Sequence, residues 1–133
     1  MADAGSTTPQ LRKLGIVPGA SWSVVGADIG WQFETAPDAA AEVAGSAPAD
    51  VVVVFVRSAA ELELALAAHE QRVFPSGALW IAWPRKAAGH VSDLGDSVVR
   101  EAALARRLVD VKVAALDHDW SALKLVWRLR ERP

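Results

Sequence analysis

The sequence predicts an α/β fold of three layers, in which a mostly parallel sheet lies between helices and ends in a C-terminal antiparallel hairpin. The uninterrupted apolar run VVVVFV at 51–56 is typical of a strand buried on both faces, as parallel strands are. Strand and helix patterns alternate from residue 51 to residue 108, which favours a parallel sheet. Between residues 109 and 129 two segments of period-2 alternation flank a short turn, which indicates a hairpin.

Size and composition fit one folded domain. The chain has 133 residues, 52% of them hydrophobic, and contains no cysteine, so disulfides and thiolate chemistry are excluded. We expect residues 1–10 to form a flexible N-terminal tail and residues 11–133 to form a single α/β domain.

Charge and hydropathy argue against several classes of function. The net charge is −2 and charges of both signs are interspersed, which disfavours a nucleic-acid partner. No apolar run approaches the ~20 residues of a membrane span, and the first ten residues lack the pattern of a signal peptide. The three histidines are dispersed, which gives no metal-site spacing. We therefore expect a cytoplasmic protein without a metal, a membrane or a nucleic-acid partner.

The first half of the chain carries weak signals. Residues 9–14 suit one helical turn, and residues 21–27 (SWSVVGA) suit a first strand. A loop follows at 28–30. We expect a short helix over residues 31–41, interrupted near Pro37, and a very short strand near Val43.

The second half is more regular. Strand 51–56 is followed by Ser58 and Glu61, whose spacing is that of a capping box, so we expect a helix from there to about residue 71. The next strand is expected at 78–82 and the next helix at 97–108. On that helix a single apolar stripe is expected, formed by Val98, Ala102, Ala105 and Val109. The hairpin strands then follow on either side of a turn at 117–119.

Two resemblances rest on particular residues. Asp50 before the apolar strand, the turn and strand VFPSGALWIAW (73–83) and the terminal hairpin are similar to the second half of the class I methyltransferase branch of the Rossmann-like folds. LRKLGI (11–16), WPRK (83–86) and LVDVKVAALDHDWSALKLVWR (108–128) resemble a family of short bacterial proteins, a domain family of unassigned activity. The first resemblance implies a truncated Rossmann-like fold, and the second implies no activity.

The methyltransferase resemblance implies S-adenosylmethionine only where its glycine loop is present. After the first strand, Gly26 and Gly30 are four residues apart, without the G-x-G that lets backbone approach a cofactor. We therefore expect no cofactor.

A candidate site follows from the topology, because ligands of open α/β sheets bind at the carboxyl ends of parallel strands. Three loops reach that edge. They carry Asp28 and Trp31, then Arg57 and Ser58, then Trp83, Arg85, Lys86 and His90. This basic and aromatic set, together with the helix N-terminus at Ser58, suits a small phosphorylated or carboxylated ligand. The alternative is that Arg57 and Lys86 pair with Asp28 or Asp93 and leave no cavity.

Two functions remain open. The lack of a G-x-S-x-G elbow, a P-loop or any other catalytic constellation favours a non-catalytic binding or regulatory module with a truncated Rossmann-like fold. The alternative is a small enzyme, a transferase of degraded methyltransferase ancestry. Trp80, Trp83, Trp120 and Trp127 are first interpreted as packing residues, since large aromatics dominate burial in cores and interfaces. Six tryptophans nevertheless exceed what a small core needs, which leaves open a protein partner or a homodimer through the edge strand of the hairpin.

Overall fold

The computed structural model describes residues 9–133. Its centre is one six-stranded sheet with the strand order β2-β1-β3-β4-β6-β5. The strands are β1 (Ser21–Val25), β2 (Ala41–Glu42), β3 (Val51–Phe55), β4 (Ala78–Pro84), β5 (Leu108–Ala115) and β6 (Trp120–Trp127). The helices are α1 (Gln10–Leu14), α2 (Ala59–His69) and α3 (Asp96–Leu104), with 3₁₀ turns at Glu70–Val73, Lys86–Ala88 and Leu129–Glu131.

The strand order contains one reversal of direction. From β1 the chain passes outward to β2 on one side, and then returns to build β3 and β4 on the other side. The ladders β1–β2, β1–β3 and β3–β4 are parallel, whereas β6 runs antiparallel to both β4 and β5. The predicted fold class, a mostly parallel sheet closed by an antiparallel hairpin, is confirmed. The crevice beside β1 and β3 is the switch point of the sheet.

The sheet separates two hydrophobic cores. All five residues of β3 are buried, and alternate side chains of β3 and β4 point to opposite faces. On one face, α2 and α3 cover the sheet through Leu62, Leu66, Val99 and Ala103. On the other face, the short helix α1 and the segment that follows β1 provide the cover. The layers are therefore unequal, with two larger helices on one side only.

Helix α1 is fixed to the sheet and to the hairpin. Trp80 Nε1 donates a hydrogen bond to the carbonyl of Leu14 at 3.0 Å. Gln10 is buried; its Nε2 donates to the carbonyl of Leu116 at 2.8 Å, and its Oε1 accepts from the backbone N–H of Glu34 at 2.9 Å. Of the predicted tail, residues 1–8 lie outside the described residues, and Gln10 belongs to the packed domain.

The predicted start of α2 is confirmed in its main bond. Ser58 Oγ accepts the backbone N–H of Glu61 at 3.1 Å. The Glu61 carboxylate reaches the backbone N–H of Arg57 at 2.9 Å, one residue before the cap. The capping box of Ser58 and Glu61 therefore fixes the backbone just after β3, and this backbone positions Arg57.

The helix predicted over residues 31–41 is wrong. That segment is irregular and joins β2, which pairs with β1 and lies immediately before the predicted Val43. The rings of Trp31 and Phe33 pack edge-to-face, with centroids 5.1 Å apart. The apolar side chains of residues 31–41 pack on the sheet although their backbone is irregular. Their spacing in the sequence therefore does not indicate a helix.

The stripe predicted for α3 is displaced by one residue. Val99 and Ala103 are fully buried, whereas Val98 is 40% exposed. The helix ends at Leu104 rather than 108, and Arg107 after it has a φ of 78°. The way in which the first turn of α3 contacts the sheet determines which face of the helix is buried. Because Val98 and Val99 are adjacent and identical, the sequence does not indicate which of them is on that face.

The hairpin predicted over residues 109–129 is confirmed as β5 and β6. The ladder shifts register between Asp110 and Lys112, so Val111 is an extra residue on β5. Val111 and Val113 are about half exposed on this edge strand. None of the helices within residues 9–133 has the length and apolar character to cross a bilayer.

Candidate functional site

A cleft of about 360 Å³ lies at the carboxyl ends of β1, β3 and β4, at the switch point of the sheet. We call it the switch-point cleft. Three loops and the hairpin turn supply its walls, which are formed by Asp28, Arg57, Pro84, His90, Asp119 and Trp120. Residues widely separated in sequence therefore meet at one place because of the strand order.

Arg57 occupies a fixed position in this cleft. Its Nη2 donates to Asp28 Oδ1 at 2.6 Å, and its guanidinium carbon lies 5.2 Å from the ring centroid of Trp120, a cation–π distance. Glu61 lies 4.0 Å from Nη1. Among the described residues only Nη2 of this side chain makes a hydrogen bond. Nε and Nη1 therefore remain as donors for a ligand.

His90 and Asp119 form a second polar pair. His90 Nε2 lies 2.9 Å from Asp119 Oδ1. The hydrogen bond from His90 lowers the pKa of Asp119 below its ordinary value, so the carboxylate is ionised at neutral pH. An ionised carboxylate only accepts, so Nε2 of His90 is the donor of this hydrogen bond. The pair is an oriented imidazole, the arrangement that a general base requires.

The turn between β5 and β6 is built by Asp117. Its Oδ1 accepts the backbone N–H groups of Asp119 and Trp120, each at 2.9 Å, and its Oδ2 accepts Trp31 Nε1 at 2.9 Å. Arg85 adds a bond from Nη1 to the carbonyl of His118 at 2.7 Å. The turn that carries Asp119 is thus held by its own carboxylate and by two other loops.

The structure brings together three of the eight residues predicted for the site. Asp28, Arg57 and His90 all line the switch-point cleft. The alternative prediction is also met in part, because Arg57 does pair with Asp28. The pairing leaves a cavity, however, and Lys86 makes no ion pair with Asp93 in the part of the chain that the structure describes.

The other five predicted residues lie elsewhere. Trp31 packs behind the cleft against Phe55, with ring centroids 5.0 Å apart, and Ser58 caps α2. Trp83 is only 5% exposed and belongs to the core beneath α2 and α3. Arg85 and Lys86 are outside the walls of the cleft: Arg85 holds the hairpin turn, and Lys86 is exposed at the start of a 3₁₀ turn.

Sequence reasoning missed Pro84, Asp119 and Trp120. The ladder between β4 and β6 places Pro84 opposite Trp120, so the hairpin turn reaches the end of β4. The signal that would have found them is the antiparallel pairing of the second hairpin strand with the third parallel strand. The alternating pattern of the hairpin does not say which parallel strand it pairs with, so the sequence predicts only a turn at 117–119.

The loop after β1 does not fit S-adenosylmethionine in the way that the methyltransferase resemblance implies. A Cβ on Gly26 would lie 2.8 Å from the carbonyl oxygen of Phe55, so this glycine serves the approach of two strands. Residues 31–40 contain no helix, and a Rossmann-like cofactor site uses the helix N-terminus after the first strand. The described residues also contain no group of three or more His, Asp or Glu side chains arranged to hold a metal ion.

The fold is similar to those of known Rossmann-like proteins. The Methanococcus jannaschii fibrillarin pre-rRNA processing protein matches 84% of this chain over 68% of its own, with a TM-score of 0.57 and 11% identity. The match to the B. subtilis M1A22 tRNA methyltransferase TrmK covers 92% of this chain and 67% of that protein, with a TM-score of 0.53 and 13% identity. The match to a Streptococcus agalactiae protein of the NADB-Rossmann superfamily covers 96% of this chain and 69% of that protein, with a TM-score of 0.52 and 11% identity.

These likenesses show the fold alone. No protein-family model matches the sequence, and no curated protein matches it either. The chain therefore has a Rossmann-like fold of the kind found in methyltransferases, and its function has to be argued from the site.

Proposed function

We propose that this chain is a non-catalytic binding or regulatory module that holds a small anionic ligand in the switch-point cleft. The observation that carries the proposal is Arg57, a cation held over Trp120 with two donor nitrogens free of hydrogen bonds to the described residues. The position supports it as well, because ligands of open α/β sheets bind where the strand order reverses.

The other charged residues of the switch-point cleft restrict the charge of the ligand. Asp28 and Asp119 also line the cleft, and the carboxylate of Asp119 is ionised at neutral pH. A ligand with several negative charges would be repelled by both carboxylates, whereas a single carboxylate bound to Arg57 meets less repulsion. We therefore expect small carboxylates to bind more tightly than phosphate esters.

The test is an NMR titration that follows the indole N–H resonance of Trp120. We expect propionate, a monocarboxylate, to shift this resonance saturably in the wild type and not in Arg57→Ala. The matched control is Arg130→Ala, which removes an arginine that is 74% exposed and lies in a 3₁₀ turn outside the cleft. An unchanged Trp120 resonance in the wild type, with carboxylates and phosphate alike, would refute the proposal.

The His90–Asp119 pair favours the second candidate, a small enzyme with methyltransferase ancestry. An oriented imidazole in a cleft is able to accept a proton from a bound substrate. The test is mass spectrometry of a metabolite extract incubated with the wild type, with His90→Gln and with the exposed control His118→Gln. A product that requires His90 but not His118 would establish catalysis, and a wild type without any product would remove this candidate.

We also infer membership of the short bacterial family that the sequence resembles. The two most specific segments, 83–86 and 108–128, contribute Pro84, Asp119 and Trp120 to the cleft. If the resemblance reflects shared ancestry, a second protein with both segments should show the same arginine-dependent titration. A family member that carries both segments but shows no arginine-dependent shift would mean that these segments do not predict ligand binding.

A homodimer through β5 is a further part of the proposal. The edge strand exposes Val111 and Val113 and has an unpaired outer edge within the described chain. Analytical ultracentrifugation should give a dimer mass that Val113→Glu reduces to a monomer, while Val17→Glu, at an exposed valine away from β5, leaves it unchanged. A monomer mass for the wild type at high concentration would contradict this.

A further inference from the structure

Arg72 is a buried cation with an incomplete set of partners. It lies in the 3₁₀ turn Glu70–Val73 after α2 and is only 4% exposed. Its Nε donates to the carbonyl of Ala47 at 2.7 Å, and its Nη1 lies 3.3 Å from His69 Nδ1. Its Nη2 is buried and has no hydrogen-bond partner among residues 9–133. Buried polar groups are normally paired, so this nitrogen needs an explanation.

No described carboxylate neutralises this guanidinium, since none lies within 4 Å of it. The neighbouring Glu70 is committed to Arg106, with two bonds of 2.9 Å. His69 is no counter-charge either, because arginine only donates and Nδ1 must therefore accept as a neutral imidazole. Arginine does not lose its proton in proteins, so a buried, uncompensated charge remains.

Arg72 also lines a second cleft, at the opposite edge of the sheet. We call it the Arg72 cleft. It has a volume of about 240 Å³ and lies where β1, β3 and β4 begin, bordered by Ser21, Asp50 and the segment 73–77. The Asp50 carboxylate accepts both the backbone N–H and the hydroxyl of Ser21, so it is tied to the start of β1. The cleft is separate from the switch-point cleft, with which it shares no residue.

We propose that the Arg72 cleft binds a small oxyanion, a carboxylate or phosphate group, as the counter-charge of Arg72. Nη2 is shielded from solvent, and Arg72 lines the cleft beside the segment 73–77, so the anion reaches Nη2 through a local rearrangement of this wall. Ser76 lines the same cleft, and a serine hydroxyl is able to act as a second donor. Asp50 stands beside the site, which favours a singly charged group over a dianion.

The experiment compares the Tm of the wild type and Arg72→Met in chloride, acetate and phosphate at equal ionic strength. Methionine keeps an unbranched apolar side chain in place of the arginine stem and removes the charge. In chloride we expect Arg72→Met to melt at the same or a higher temperature than the wild type. Acetate or phosphate should raise the Tm of the wild type saturably, by about 4 °C at ten times the Kd, and Arg72→Met should lose the part of this rise that Arg57→Ala retains.

A second variant separates this site from the switch-point cleft. Arg57→Ala should keep the saturable rise, and a loss there would assign the anion to Arg57 and refute the Arg72 site while leaving the proposed function in place. Should Arg72→Met fail to fold, the His69 ring resonances of the wild type decide instead. Their titration midpoint should move to higher pH when acetate or phosphate is added, and an unchanged midpoint would overturn the inference.

Discussion

Gly26 joins the end of β1 to the loop that carries Asp28. Its φ is 78°, a left-handed conformation, and a Cβ built on it would lie 2.8 Å from the carbonyl oxygen of Phe55. Two constraints thus act on one residue, the backbone conformation and the close approach of β3. The position of Asp28 beside Arg57 depends on both.

A matched pair of substitutions separates these constraints. Gly30 has a φ of 89° and no atom within 4 Å of its would-be Cβ, so Gly30→Ala carries the conformational cost alone, about 1 kcal/mol. Gly26→Ala adds the clash and should lower the free energy of unfolding by about 3 kcal/mol or more. Urea denaturation of both variants measures the difference. Equal costs would show that β3 moves freely away from β1.

His69 predicts how stability depends on pH. Burial, and then the nearby charge of Arg72, lower the pKa of His69 below its ordinary value of 6.5. Below pH 6.5 the His69 imidazole is protonated in the unfolded chain while it is still neutral in the folded chain. The free energy of unfolding should therefore decrease as the pH falls from 6.5 through the lower pKa of the folded state.

Urea denaturation between pH 5 and pH 8 tests this, with His69→Gln as the comparison. Glutamine retains an oxygen that accepts from Arg72 but does not titrate in this range. The part of the pH dependence that belongs to His69 should be absent from the variant. The same slope in both proteins would locate the effect elsewhere.

At the scale of elements, α3 shows what burial decides. Val98 and Val99 are adjacent and chemically identical, yet one is 40% exposed and the other is fully buried against the sheet. A helical period alone gives either register, because both valines begin an apolar stripe. The difference is thus a property of tertiary packing.

Val99→Ala and Val98→Ala test this register. Removing two buried methyl groups at Val99 leaves a cavity, so we expect a loss of about 2 kcal/mol in the free energy of unfolding. At Val98 the change should stay within about 0.5 kcal/mol. Thermal or urea unfolding of the two variants is sufficient. The reverse order would restore the stripe through Val98 and Ala102 that the sequence predicts.

The sequence predicts the elements whose pattern is local. β3 is visible because a strand buried on both faces needs an unbroken apolar run, and the hairpin is visible because half-buried strands alternate. The segment 31–41 is mispredicted, since Trp31 packs through its ring from an irregular backbone. In the cleft, the strand-end rule finds Asp28, Arg57 and His90. It does not find Asp119, whose bond to His90 joins loops 29 residues apart.

At the scale of the molecule, the fold keeps the switch point of a Rossmann-like sheet without the parts that hold a nucleotide cofactor there. No helix follows β1 within residues 31–40, and rings fill this side of the sheet in a series from Trp22 through Phe33, Trp31 and Phe55 to Trp120. The likeness to a tRNA methyltransferase, at 13% identity, shows the fold alone.

We therefore expect no binding of S-adenosylmethionine in calorimetry at up to millimolar concentrations. Propionate serves as the comparison ligand in the same experiment, because the proposed function expects a monocarboxylate to bind at Arg57 in the switch-point cleft. Heat of binding for S-adenosylmethionine with a micromolar Kd would mean that the rings between Trp31 and Trp120 rearrange to admit it.

The hold of α1 on the hairpin has a consequence for synthesis on the ribosome. Gln10 donates to the carbonyl of Leu116, a residue 106 positions later in the chain. At translation rates of 5–20 residues per second, α1 waits roughly 5–20 s for that partner. Once β4 has been made, the face of the sheet that contains Trp80 still lacks the cover that Leu116 and Trp120 supply. A nascent chain paused before the hairpin would be open to chaperones and proteases, and pulse proteolysis of stalled chains should show protection only once residue 116 has emerged.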